Sequence, residues 1–236
     1  MADVAVVTGA SGALGAEVAR TLARRGHKLA LLDAPASQAR LEQLAASLGG
    51  ASFVVGDLAV ENTWREAVGR IEHELGTAPA FAALVAGGWR GGPSLHEETS
   101  DETWRAMMSS NLETVYRGLR ALLPSMVAAK RGSIVVIGSR AAERPWSSAG
   151  ASAYAAAKSA VVALAQTVAA EVRESGVRLN AVLPSTMDTP ANRAAMPNAD
   201  ASRWVSLPSA AGLVAFLLSD DARDISGAAV PVYGRA

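Results

Sequence analysis

Cysteine is absent from this chain of 236 residues. That absence removes disulfides, thiolate nucleophiles and Cys-ligated metals together. Histidine is scarce: His27, His73 and His96 stand apart without the spacing of metal ligands, so no metal site is expected. Nothing approaches the roughly 18 consecutive apolar residues of a membrane span, and no charged leader precedes an apolar segment. Neither charge sign dominates, because 22 Lys and Arg balance 22 Asp and Glu. Neither nucleic acid nor an anionic membrane is therefore expected as a partner. A soluble, cytoplasmic protein is the expectation.

Half of the residues are apolar and 19% charged, which is ample material for a core. The length suits one α/β domain over 1–236, with no linker, repeat or low-complexity tract. Apolar runs at Val4–Thr8, Lys28–Leu32, Ser52–Val55, Phe81–Val85, Ser133–Ile137, Arg178–Leu183 and Ala228–Tyr233 read as strands. Helices are expected between them, near 13–25, 37–48, 61–75, 101–126, 152–174 and 209–219. The strand runs are continuously apolar rather than alternating, as in strands covered on both faces. The expected fold is therefore α/β: a doubly wound, mostly parallel, Rossmann-type sheet of about seven strands with helices on both faces.

The loop Thr8-Gly-Ala-Ser-Gly-Ala-Leu-Gly15 lies between the first strand and the first helix. There a pyrophosphate would meet free helix-end amides, and glycine permits close backbone approach. Asp33 ends the second strand, where a carboxylate can accept from both ribose hydroxyls and repel a 2′-phosphate. No Arg or Lys follows before Arg40, so NAD(H) is preferred, with NADP(H) still possible. Asp57 can reach the adenine edge or cap its own loop.

Tyr154 and Lys158 share one helical face, so phenol and ammonium can converge on one atom. With three tyrosines and three lysines in the chain, random placement gives such a pair only about 4% of the time. A positive charge beside a phenol favours tyrosinate and brings its proton within catalytic range.

Together these residues resemble the short-chain dehydrogenase/reductase family over almost the whole chain. The resemblance rests on the Thr8–Gly15 loop, Asp57, Asn111, Ser139, Tyr154 with Lys158, Asn180–Pro184 with Asp188-Thr189, and Ser226-Gly227 to Val232. It implies Tyr154 as general acid/base, Lys158 as its partner and ribose ligand, Ser139 on the substrate oxygen, and Asn111 in a proton relay. It also implies cofactor contacts from Gly9, Ser11, Gly12, Ala13, Leu14, Gly15, Asp33, Asp57, Leu58, Ala86, Gly87, Gly88, Tyr154, Lys158, Pro184, Thr186 and Thr189.

Three features depart from the family pattern. The glycine spacing is G-x-x-G-x-x-G, with Ala13 where compact members carry glycine. Val85-Ala-Gly-Gly88 replaces Asn-Asn-Ala-Gly. The Ser139–Tyr154 interval is one or two residues longer than the family pattern, so Ser147, Ser148 and Ser152 compete with Ser139, although only Ser139 sits at a strand end.

Within the family, Ala86–Gly92 and Val182–Asp200, closed by Trp204, resemble quinoid dihydropteridine reductases, whose missing catalytic serine Ser139 here restores. The expected activity is hydride transfer to a carbonyl or quinonoid small molecule. A flat ring stacked by Trp89, Trp146 and Trp204 is the leading substrate, under a short cover near 189–208. A 3-oxoacyl thioester is the alternative, and a non-catalytic dinucleotide sensor the alternative from another class. The helix Tyr154–Val172 is apolar nearly all round, which predicts a homodimer or homotetramer.

Overall fold

The computed structural model describes residues 2–98 and 100–235. Seven strands form one sheet: β1 (Val4–Thr8), β2 (Lys28–Asp33), β3 (Ser52–Val55), β4 (Phe81–Leu84), β5 (Gly132–Ile137), β6 (Val177–Pro184) and β7 (Ala229–Val232). Their spatial order is β3-β2-β1-β4-β5-β6-β7, and every adjacent pair is parallel. The chain runs outward from β1 in one direction, then returns to add β4 on its other side. The carboxyl ends of β1 and β4 therefore diverge and open the crevice where such sheets bind ligands.

Alternation along β1 divides the core into two layers. Val4 and Val6 face α3 (Glu61–Leu75), α5 (Thr114–Ala128) and α7 (Ser152–Glu171), among Trp64, Leu119 and Val161. Ala5 and Val7 face α1 (Ala13–Arg24), α2 (Gln38–Ser47) and α9 (Leu207–Leu218), among Val18, Leu41 and Val214. All five β1 residues and all six β5 residues are buried, the condition that the continuous apolar runs imply.

The expected helix over 101–126 is interrupted. It consists of α4 (Glu102–Met107), a π-helical turn over Met108–Glu113, and α5. Two further short helices, α6 (Arg140–Glu143) and α8 (Pro190–Ala195), lie in segments read from sequence as loops. Their starts are set by the side chains of Ser139 and Thr189, which accept from Ala141 N and Asn192 N at 3.1 Å each.

Among the described residues only α7 is long and apolar enough to cross a bilayer by composition. It packs instead on β5 and β6, with Lys158 buried in its second turn, as a core helix does.

Candidate active site

The loop after β1 begins with Gly9 at φ +60°, the left-handed region that glycine enters without strain. A Cβ on Gly9 would meet the Ala86 backbone at 2.8 Å, and one on Gly15 would meet Gly9 O at 2.1 Å. These two glycines let strand, loop and helix close on one another. Gly12 precedes α1 in extended conformation, its N–H donating to Gly9 O at 3.0 Å. Ala13 is the first helical residue, and the first amides of α1 lack intrahelical acceptors. Ala13 in place of glycine thus sits where helical geometry is required and costs the loop nothing.

Asp33 is nearly buried at the end of β2. One carboxylate oxygen accepts from Ser11 N and the other from Ala34 N, both at 2.8 Å. The same side chain that would meet ribose therefore also shapes the glycine loop. Asp57 is exposed and accepts from Ala59 N at 2.9 Å, the loop-capping alternative, while also lining the crevice. Leu58 behind it is buried, and its carbonyl accepts from the Trp64 indole at 2.9 Å.

After β4, Ala86 N donates to Thr8 Oγ1 at 3.0 Å and Gly88 N to Asn111 Oδ1 at 3.3 Å. A Cβ on Gly87 would lie 2.7 Å from Asn111 Oδ1 and 3.3 Å from Lys158 Nζ. Here Gly87 creates room for Asn111 and Lys158 to approach, which gives the unusual Ala-Gly-Gly sequence a local reason. Asn111 is fully buried in the π-turn and donates to Met107 O at 3.0 Å. The widened turn directs this amide inward.

The catalytic candidates converge at the carboxyl end of β5. Ser139 follows that strand, nearly buried, with its hydroxyl accepting from Ala141 N and its own proton left to donate. Burial raises the Tyr154 phenol above its usual value, and the Ser139 side chain opposes that rise. Lys158, 5% exposed, donates from Nζ to Ile137 O at 2.8 Å and lies 5.9 Å from the Tyr154 ring centroid. Burial lowers its ammonium to about 8. Lys158 is expected from sequence to lower the tyrosine value; in the structure the side chain opposing the rise is Ser139, and the Lys158 ammonium donates to the Ile137 carbonyl. Of the competing serines, Ser147 donates to Arg144 O at 2.8 Å, Ser148 borders the cavity and Ser152 is exposed, while the hydrogen bond to the Tyr154 phenol comes from Ser139.

Asn111, Ser139, Tyr154 and Lys158 line one cavity of about 1280 Å³, which runs from Asp33 and Asp57 past Tyr154 to Thr186 and Met196. Pro184 and Thr189 also border it, with Thr189 committed to capping α8. Of the three tryptophans expected around a ring, Trp89 lines the cavity and Trp146 and Trp204 do not. Trp146 is 77% exposed. Position after a strand does not fix which way a side chain turns. Among the described residues no three His, Asp or Glu side chains gather as metal ligands.

Residues 3–200 match the sequence family described as short chain dehydrogenase. The chain belongs to the short-chain dehydrogenase/reductase family. It is accordingly an NAD(P)-dependent oxidoreductase, and the cradle at Gly9, Gly15 and Asp33 fits a dinucleotide. A 2,5-dichloro-2,5-cyclohexadiene-1,4-diol dehydrogenase of Sphingobium indicum is 29% identical, with 98% of this chain and 94% of that protein covered. The 3-oxoacyl-[acyl-carrier-protein] reductase of Escherichia coli is 30% identical over 98% and 96%. A 2,3-dihydro-2,3-dihydroxybenzoate dehydrogenase of Bacillus subtilis is 34% identical over 79% and 70%. Among solved structures, a short-chain dehydrogenase/reductase oxidoreductase from Burkholderia thailandensis superposes with a TM-score of 0.85 at 30% identity, covering 99% of this chain and 92% of that one.

Proposed function

We propose that this short-chain dehydrogenase/reductase interconverts a carbonyl and an alcohol on a compact ring substrate, with NAD(H) preferred, in the cytoplasm. The observation that carries the reading is the meeting of Tyr154, Ser139 and Lys158 at one end of a cavity whose other end holds Asp33. A bound nicotinamide supplies or takes up the hydride. Tyr154 gives the proton to the substrate oxygen, and Ser139 donates a hydrogen bond to that same oxygen. The buried Lys158 holds the nicotinamide ribose, and Asn111 holds a water of the proton relay. Asp33 binds the adenosine ribose.

The cover over the substrate end is short, which favours a ring over a long acyl chain. It follows β6, is pinned by an isolated β-bridge between Met187 and Val205, and is exposed along most of α8. One relative is named for a cyclohexadiene diol and another for a dihydro-dihydroxybenzoate, both six-membered rings, which supports the same class. With only Trp89 at the cavity, a pterin retains one of the three stacking planes expected for it. The second reading, a 3-oxoacyl thioester, is favoured by the reductase relative that aligns over nearly its whole length. Steady-state assays with NADH and NADPH over cyclic ketones, quinonoid dihydropterin and acetoacetyl thioesters test the proposal. A kcat/KM for the thioester tenfold above every ring substrate would reverse the ranking.

A further inference from the structure

Arg140 stands next to Ser139 in the chain and lines the same cavity, half-buried. Among the described residues, no carboxylate lies within ion-pair distance of its guanidinium. The two acids on neighbouring elements are already engaged. Glu143, one turn farther along α6, accepts from the Tyr233 phenol, on which the Arg140 charge also acts, and lies outside ion-pair distance of Arg140. Asp188 is held in a two-point pair with Arg193, at 2.5 and 2.8 Å. The acids that line the cavity, Asp33 and Asp57, follow β2 and β3, on the far side of β1 from β5. The substrate end thus contains two cationic side chains, Lys158 and Arg140, and no lining carboxylate. Lys158 is already bonded to Ile137. Arg140 is left with its whole fork of donors.

We propose that Arg140 binds a carboxylate carried by the substrate, so that the ring substrate is an oxo- or hydroxy-acid. A guanidinium with no ion-pair partner is open to a carboxylate, which matches its planar fork with two parallel hydrogen bonds. Adjacent Cα atoms lie about 3.8 Å apart. Ser139 and Arg140 line the same cavity, so the reacting oxygen and the acid of one substrate can be held from neighbouring positions. Trp89, 69% exposed at the cavity edge, offers an apolar plane to the same ring. The inference rests on the oxidoreductase reading of this cavity, and it adds the charge that the substrate must carry.

The test combines binding with turnover. Dissociation constants of benzoate and of benzamide are measured on the NADH-loaded protein by quenching of nicotinamide fluorescence. In parallel, NADH oxidation is followed with 4-oxocyclohexanecarboxylate and with its carboxamide. The wild-type protein should bind benzoate at least tenfold tighter than benzamide. Arg140→Gln should bring the two within about twofold, and Arg140→Lys should restore part of the preference. A collapsed fold or a general packing defect would weaken both ligands together and would not be rescued by lysine. Equal affinity for the two probes in the wild type, or a benzoate preference that survives Arg140→Gln, overturns the assignment. Turnover reports on the underlying reading: reduction of the carboxamide with no carboxylate preference sinks the Arg140 role alone. A benzoate preference without turnover of either ketone leaves the anion site standing and removes the ring-ketone reading.

Discussion

Lys158 and Ile137 are joined by a hydrogen bond of 2.8 Å from the ammonium to the backbone carbonyl, which ties α7 to the end of β5 beneath the catalytic candidates. The lysine holds this position at a cost, since burial lowers it from the ordinary 10.5 to about 8. Below pH 8 folded and unfolded chains both hold the proton, and the folded state carries the full penalty of a buried charge. Between pH 8 and 10.5 the folded chain has released a proton that the unfolded chain retains, so this group makes stability rise with pH. The whole effect is about 3 kcal/mol. In cofactor-free protein, urea unfolding from pH 7 to 10.5 should show wild-type stability gaining on Lys158→Met as pH rises. A constant difference between the two proteins contradicts the buried-ammonium account.

Tyr154→Phe should reduce kcat/KM by about 10²–10⁴-fold, the range for loss of a positioned acid, while NADH affinity changes little. Lys158→Ala should weaken both turnover and NADH binding. Wild-type turnover in the phenylalanine variant would remove Tyr154 from the proton-donor role.

NADH should bind at least tenfold tighter than NADPH, because the Asp33 carboxylate opposes a 2′-phosphate. Asp33→Asn is the better probe than alanine. The carboxylate also accepts from Ser11 and Ala34, and an amide oxygen keeps one of those bonds while shedding the charge. The variant should narrow the NADH/NADPH ratio by weakening repulsion. An unchanged ratio by fluorescence titration counts against Asp33 as the selector.

A homodimer or homotetramer is expected in solution. Helix α7 covers the sheet with Val161, Ala165 and Val168, yet Ala163 and Ala170 on its outer side are exposed and Leu164 half-exposed. Tyr116 on the neighbouring α5 is 43% exposed. Small side chains allow close approach of a symmetry-related helix. Light scattering at micromolar concentration should give a dimer or tetramer mass, and Ala163→Glu should shift it toward the monomer. A monomeric wild type removes this interface.

The sheet was largely legible because its strands are apolar runs between helices and turns. Each observed strand lies within about one residue of the expected span, from Val4–Thr8 to Val177–Pro184. The pairing of Tyr154 with Lys158, and the place of Ser139 at a strand end, also follow from spacing alone. What spacing does not encode is direction. The turning of Lys158 toward Ile137, the outward swing of Trp146 and the double duty of Asp33 depend on what surrounds each side chain. Arg140 is not legible from spacing for the same reason: that Glu143 meets Tyr233 and Asp188 meets Arg193, and neither pairs with Arg140, is settled only in the fold.

The π-turn at Met108–Glu113 reconciles two demands on a single rod. Met107, Asn111 and Val115 are all buried, at steps of four residues, whereas two turns of ordinary α-helix take only about seven. In an ordinary helix each step of four drifts by about 40°, so Val115 would stand about 80° from Met107, and the wider turn takes up that drift. Deleting one residue between 108 and 113 would therefore restore a regular helix and force a choice. Either the amide keeps its place beside the cavity or the apolar stripe of α5 keeps its grip on the core. A single codon lost here would act like a slipped gear tooth, disengaging one half of the helix from the other.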